Sequence, residues 1–492
     1  MAVDTALIWF RRDLRLHDNP VLVDAARAEA LLPVYCFDPR EYGTADFGGP
    51  DSFRYEKTGG HRAQFRRESV TDLRDSLRAA GSDLLVAHGR PETVLPALVS
   101  TTDADAVFFQ TLPTSEERTT ERAVTARLRE EGVAVHRLWT HTLVHLADLP
   151  TPYTDIDDTF TPFRKRVESS STARDPLDVP TLPPLPSATS STKRATFETL
   201  PSLSTLGVEN PPVDERRSLD FDGGESAGRD RLAAYLWDHD CLRVYKETRN
   251  GLLGADYSSK FSPWLNEGCL SPRFVNAEVD RYEAERVAND STYWLLFELL
   301  WRDFFQFQFL KHGNRFFARG GIRNRTDIEW RTDGEAETAF GRWTAGETGV
   351  PFVDATMREL NRTGFVSNRG RQNAASFLAN NLRVDWRWGA AYFETQLVDY
   401  DPCSNYGNWA YIAGVGNDSR DRYFDVVKQA KQYDEQAAYV THWLPELAAL
   451  PPETVHEPWR LSPDEQTQYG VELGVDYPRP VVDVEASYEK LR

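Results

Sequence analysis

The chain has 492 residues, 40% hydrophobic and 12% aromatic, which is ample material for packed cores and excludes disorder throughout. A formal net charge of −19 excludes a uniformly basic nucleic-acid coat, though not a local basic groove, because the field in a cleft is set by nearby charges. The cations are nine Lys against 48 Arg, an acidic, Arg-rich balance that suits a halophile's salt-rich cytoplasm, where screening relieves self-repulsion, although a GC-rich genome also exchanges Lys for Arg.

Residues 1–140 alternate strand and helix signals. TALIWF, LLPVYCF, SDLLVAHG and ADAVFF are apolar runs of buried-strand length. HRAQFRRESVTDLRDSLRAAG reads as a helix ending on a Gly suited to the position after the C-cap. The alternation predicts an α/β domain, a parallel sheet with helices on both faces. Residues 141–228 read as a long interdomain connector: 11 of the 29 Pro lie between Pro150 and Pro212, a composition expected not to sustain helices. Residues 229–450 read as an all-α domain. Residues 289–311 and 371–388 lack Gly and Pro and mix apolar and polar positions at helical spacing. The Pro- and acid-rich residues 451–492 are expected to form a loosely packed tail.

Four Cys (36, 241, 269, 403) show no CxxC and read as reduced thiols of a cytoplasmic protein. The start shows no signal-peptide pattern. YWLLFELLW is half a membrane span long and contains Glu298, so it reads as a buried helix and no membrane association is expected. His141 and His145 are four apart in HTLVH, but no carboxylate or Cys cluster completes a set, so no metal is expected. No GxGxxG follows a strand and no GxxxxGK[ST] occurs.

Two clusters carry chemistry. In YKETRNGLLGADYSSKFSPWL, residues 245–265, Ser258, Ser259, Lys260 and Ser262 offer hydroxyls and an ammonium beside main-chain N–H groups, which could hold a diphosphate. Ser-rich turns before helices are also ordinary caps. The second cluster joins NRGRQ, residues 368–372, to VDYDPCSNYGNWAY, residues 398–411. There Asp399 and Asp401 could be a helix-end acidic pair, and Asn405 and Asn408 turn residues.

These runs, with IWFRRDLRLHDNP, ELLWRDFFQF, TGVPFVDATMRELNRTGFVSNRGRQNAASFL and YVTHWLPEL, resemble the photolyase/cryptochrome family from near the start to about residue 450. SNRGRQNAASFL, CSNYGNWAYIAGVGND and YEKTGGHRAQFRRESVTDLR are most similar to DASH-type cryptochromes. The resemblance implies FAD in the helical domain. Its diphosphate would lie on Ser258, Ser259, Lys260, Phe261 and Ser262, with Tyr245 adjoining. Its ring would be edged by Asn368, Arg371, Asp399, Asp401 and Asn405. A cation at Arg371 favours a negatively charged reduced ring, and the neutral amide of Asn405 lacks the carboxylic proton of signalling relatives.

The resemblance further implies electron transfer along Trp409, Trp386 and Trp330, the last at the surface. The substrate would be UV-damaged DNA carrying a cyclobutane pyrimidine dimer, flipped into a pocket beside the flavin. Glu298 would hydrogen-bond or protonate the dimer, Trp301 would stack on it, and Asn368, Gln372 and Tyr411 would line its pocket. Arg249 and Arg369 would contact phosphates. Gln372 and Tyr411 stand where double-strand photolyases have Met and Trp, and Asp425 where they have a phosphate-binding Arg, which points to single-stranded DNA. A methenyltetrahydrofolate antenna would bind the first domain near Glu116 and Glu117. The expected function is therefore a light-driven carbon–carbon lyase, and a monomer. The rivals are a blue-light receptor without significant repair and an ordinary double-strand photolyase.

Overall fold

The computed structural model describes residues 3–187, 199–418 and 423–489, so residues 188–198 of the expected connector lie outside it. Strands β1 (Thr5–Phe10), β2 (Ala30–Phe37), β5 (Leu85–His88), β6 (Ala106–Gln110) and β7 (Ala134–Leu138) form a parallel sheet in the order β5-β2-β1-β6-β7. Both faces of β1 are buried because alternate side chains enter different cores. Ala6, Ile8 and Phe10 join the large core that continues into the helical domain, whereas Leu7 and Trp9 pack under the helices Pro91–Thr102 and Ser115–Glu130. The helix Gly60–Ala79 ends as its sequence foretold, with Gly81 at φ 83°. A second, antiparallel pair, β3 (Thr44–Asp46) with β4 (Arg54–Glu56), projects from this domain.

The connector departs from expectation. Residues Phe160–Ser170 form a helix, because the Pro residues cluster outside it except for Pro162 in its first turn, where no intrahelical N–H bond is lost. Phe160, Phe163 and Val167 are buried on that helix. Residues 451–489 also pack more tightly than expected of the 451–492 tail. Tyr477 is wholly buried and donates to Asp354 Oδ2 at 2.5 Å, and Tyr488 accepts from Val426 N at 2.8 Å.

Buried side-chain contacts join the two domains. Arg66 bonds Glu267 at 2.9 and 3.1 Å, and His17 Nδ1 lies 2.5 Å from Glu225. Gly268, at φ 72°, sits against the backbone of Arg12 with no room for a Cβ. The helix Asp290–His312 runs through the helical domain. No helix among the described residues is long and apolar enough to cross a membrane.

The expected helix over 371–388 is broken. Asn368–Ser376 continues through a widened turn, Phe377–Asn381, and the chain then turns at Arg383, φ 57°, before Trp386–Gln396. Asp385 caps the new helix by accepting from Arg387 N, and Arg331 N donates to Arg383 O. Side-chain capping and a non-local backbone bond therefore stop a segment whose local periodicity would continue.

Candidate functional site

A cavity of about 550 Å³ opens between the helix Asp290–His312 and the segments 245–266 and 365–412. It is contiguous with a smaller recess edged by Asn368, Arg371, Asp399, Asp401, Asn405 and Trp409. Asp399 organises the floor. Its Oδ2 accepts from Ser262 Oγ at 2.6 Å and from Arg371 Nη2 at 2.9 Å, while Asn266 donates to its carbonyl. Arg371 is fixed a second time through Nε to Val366 O at 2.9 Å. Asp401 caps the helix Pro402–Ile412 through Ser404 N at 2.7 Å and accepts from Gln306 Nε2 at 3.0 Å. That helix carries Asn405, whose amide donates to Ala390 O at 2.9 Å, and Trp409.

Ser258, Ser259, Lys260 and Phe261, assigned to the diphosphate, line the cavity with Tyr245. Lys260 does not act as a free cation there. It is 3% exposed, donates to Gly254 O and Ala255 O at 3.1 and 3.0 Å, and lies 3.2 Å from the ring centre of Tyr257. Burial, with Arg231 nearby, pulls its pKa down to about 7. It staples its own loop in place. Ser262 spends its proton on Asp399 and keeps only acceptor capacity for a ligand.

Of the residues assigned to substrate, Arg249, Glu298, Trp301, Asn368, Gln372 and Tyr411 line the cavity, and Arg369 does not. Arg249 Nη1 is 2.6 Å from Glu298 Oε1, so the two are ion-paired. Burial raises the Glu298 pKa, with Arg249 opposing. Trp301 has one face stacked on Phe160 at 3.7 Å, leaving at most the other for a base. Arg369 donates to Asn250 and Gln429, and more weakly to Gln372 at 3.3 Å. Gln372 and Tyr411 both line the cavity. Asp425 caps the helix Val426–Tyr433 by accepting from Lys428 N at 3.0 Å.

The three Trp are all buried: Trp409 at 2%, Trp386 at 0% and Trp330 at 7% exposure. The expectation of Trp330 at the surface is thus corrected. Arg331, its neighbour, pairs with the turn at 383–384 and holds Trp330 in the interior. The main-chain carbonyl of Arg319 accepts from Trp386 Nε1 at 3.1 Å, and its guanidinium donates to the main-chain carbonyl of Trp330 at 2.6 Å. Trp409 packs on the helix of Trp386 at Gly389, where a Cβ would fall inside contact distance of the indole.

A second cavity, about 570 Å³, lies at the seam of the two domains and includes Glu116 and Glu117 in its lining. Glu117 closes a capping box with Thr114, and Glu116 pairs with Lys57 at 2.7 Å. Of the two His in HTLVH, His141 is buried against Arg302 and His145 caps a short turn. A separate trio, His239, Cys241 and Asp256, brings ligand-type atoms together, but Arg231 already occupies Asp256 at 2.9 Å.

A family model described as "DNA photolyase" matches residues 6–186, and one described as "FAD binding domain of DNA photolyase" matches residues 294–492. Proteins named Cryptochrome DASH from Natronomonas pharaonis and Gloeobacter violaceus are 60% and 53% identical to the chain. They cover 99% and 98% of it and 100% and 94% of their own lengths. The chain belongs to the photolyase/cryptochrome family, in its DASH branch. Among solved structures, a Synechocystis cryptochrome aligns over 100% of this chain and 99% of its own, with a TM-score of 0.93 and 48% identity. A bacterial class III photolyase from Agrobacterium tumefaciens aligns at a TM-score of 0.83 and 30% identity, covering 100% and 96%.

The DASH cavity suits the FAD of that domain. Asp399 Oδ1 and the Tyr257 hydroxyl are buried lining atoms without a protein partner, as ligand-facing atoms would be. The sequence reading missed most of the seam cavity: Lys57, Arg62, Tyr400 and Tyr406 line it from segments far apart in the chain. The motif YEKTGGHRAQFRRESVTDLR contains two of these residues, yet nothing in its pattern marks them as lining.

Proposed function

We propose that this DASH protein is a blue-light-dependent lyase that splits cyclobutane pyrimidine dimers, chiefly in single-stranded DNA. The observation that carries the reading is that one cavity is lined both by three of the five ring-edge residues, Asn368, Arg371 and Asp399, and by the dimer set, Glu298, Trp301, Gln372 and Tyr411, while Asp401 and Asn405 line the adjoining recess. Donor and acceptor would therefore share one space. Bound FAD, reduced and excited by light, supplies the electron.

The chain's own residues do the rest. Asp399, itself bonded by Ser262, holds Arg371, whose guanidinium would stabilise negative charge on the reduced cofactor. Asn405 offers only a neutral amide at the ring, which disfavours a signalling cycle that needs a carboxylic proton there. When a flipped dimer enters, Glu298 exchanges Arg249 for the dimer carbonyl, where charge grows only during reaction, and Arg249 is released toward phosphate. The face of Trp301 away from Phe160 would stack on the dimer. The carbon–carbon bonds break and the electron returns, with no net redox change.

Trp409, Trp386 and Trp330 would recharge the cofactor. The seam cavity would hold methenyltetrahydrofolate as antenna, with Glu116 and Glu117 at its wall. Asp425 serves as a helix cap where double-strand enzymes carry a phosphate contact, which favours single strands. The test is dimer loss from a single-stranded oligonucleotide under blue light by FAD-loaded protein. Light-dependent loss is expected; a flavin-loaded protein that leaves the dimers intact overturns the reading.

A further inference from the structure

In the wall of the seam cavity, tyrosine hydroxyls converge on one buried carboxylate. Glu394 Oε2 accepts from the Tyr406 hydroxyl at 2.9 Å, and Oε1 from the Tyr55 hydroxyl at 3.3 Å. Lys57 Nζ lies 3.0 Å from Oε1. Burial works against the Glu394 carboxylate, but Lys57 and Arg62 outweigh it and hold the group below the ordinary range. Burial and Glu394 together push the Tyr406 phenol well above its own. The resting pair is thus a neutral phenol donating to an ionised carboxylate.

Tyr406 is 1% exposed, and its ring meets that of Trp386 edge to face at 6.4 Å between centres. An oxidised indole at Trp386 would therefore have a phenol as a neighbour, with a base already hydrogen-bonded to it. A phenol that loses an electron becomes strongly acidic, so its oxidation is easiest where a base takes the proton in the same event.

We propose that Tyr406, with Glu394 as proton acceptor, is a radical terminus branching from Trp386. One electron passes from Tyr406 to the Trp386 radical cation, which returns to neutral Trp. The phenolic proton moves to Glu394 Oε2. The products are a neutral tyrosyl radical and a carboxylic acid, and the summed charge of the three side chains is zero before and after. A buried site therefore gains no uncompensated charge. The oxidant that first creates the Trp386 radical cation is a photo-excited flavin, so the inference rests on the Trp chain of the proposed function. Tyr55, half-buried and sharing the other oxygen of Glu394, extends the branch to the cavity.

The test uses FAD-loaded protein grown with ring-deuterated tyrosine, illuminated and freeze-trapped for electron paramagnetic resonance, with optical decay followed in parallel. The expected result is a radical signal narrowed by deuterated tyrosine, lost in Tyr406→Phe and replaced there by a Trp radical. Glu394→Gln, which keeps a hydrogen-bonding group but not the base, should lower the tyrosyl yield and abolish its solvent deuterium effect. Overturning results are a Trp radical alone, with the same decay in parent and Tyr406→Phe, or a tyrosyl yield that Glu394→Gln leaves unchanged. Absence of any side-chain radical under light would instead defeat the Trp chain itself, and this branch with it.

Discussion

The two cavities are close in size, about 550 and 570 Å³, yet they are put together differently. The cavity of the helical domain is walled by side chains of that domain alone, and four of its charges form two pairs, Arg371 with Asp399 and Arg249 with Glu298. The seam cavity takes Arg12, Lys57, Arg62 and Glu116 from the first domain and Arg387, Glu394 and Tyr406 from the second. Its shape exists only while the domains are docked. A cofactor needed for the reaction would thus sit in a pocket that one domain makes, and an accessory chromophore in a pocket made by docking.

Breaking the seam should give the largest effect. Arg66→Ala leaves Glu267 buried without its cation, a loss of roughly 3–5 kcal/mol for a buried pair. Urea unfolding should shift by that order, and antenna absorbance should be lost at a denaturant concentration where flavin is still bound. Simultaneous loss of both chromophores would erase the distinction between the cavities.

Within the helical cavity, Glu298→Ala should lower repair yield by about 3 kcal/mol of transition-state stabilisation while leaving photoreduction at the parent rate. Burial keeps the Glu298 carboxyl protonated to higher pH than an exposed Glu, so repair by the parent should fall as pH rises through that raised pKa. Glu298→Gln should lose that fall. Gly389→Ala sharpens the same point, because its methyl would press on Trp409; overpacking of this kind costs about 1–3 kcal/mol. Slower photoreduction with repair by chemically reduced protein intact is the expected signature, and an unchanged photoreduction rate would remove Trp409 from the path. The smallest effect belongs to Glu116→Gln. Its side chain is 77% exposed, so stability should change by less than about 1 kcal/mol, and only antenna content should respond.

Legibility in the sequence followed locality. The strands β1, β2, β5 and β6 are continuous apolar runs and could be read directly, whereas β7, AVHRL, lies at the sheet edge with an exposed pattern and gave no such signal. Ring-edge residues could be placed because Asn368 to Gln372 and Asp399 to Trp409 fall in short ordered motifs, and the structure brings them to one recess. The role of Lys260 was not legible: a cation in a Ser-rich loop suggests phosphate, but its partners are carbonyls five and six residues back. The turn at Arg383 was hidden for a related reason, since its cause is a backbone bond to Arg331. Glu394 and its tyrosines could not be found from spacing at all, as Tyr55 and Lys57 reach it across the domain seam.

The central claim is light-driven splitting of dimers held in single strands. Flipping a dimer out of a duplex costs a few kcal/mol of unpairing and unstacking that a single strand does not impose. On the proposed function, this chain, with net charge −19 and Asp425 engaged as a helix cap, would have little to offset it. Salt weakens each phosphate contact with a log–log slope of about 0.9 on duplex and about 0.7 on single strands. The decisive measurement is blue-light repair of one dimer in matched oligonucleotides, single-stranded and annealed, across a salt series. The account predicts efficient single-strand repair, poor duplex repair, and a gap that widens with salt; equal rates on both substrates at low dimer concentration would contradict it.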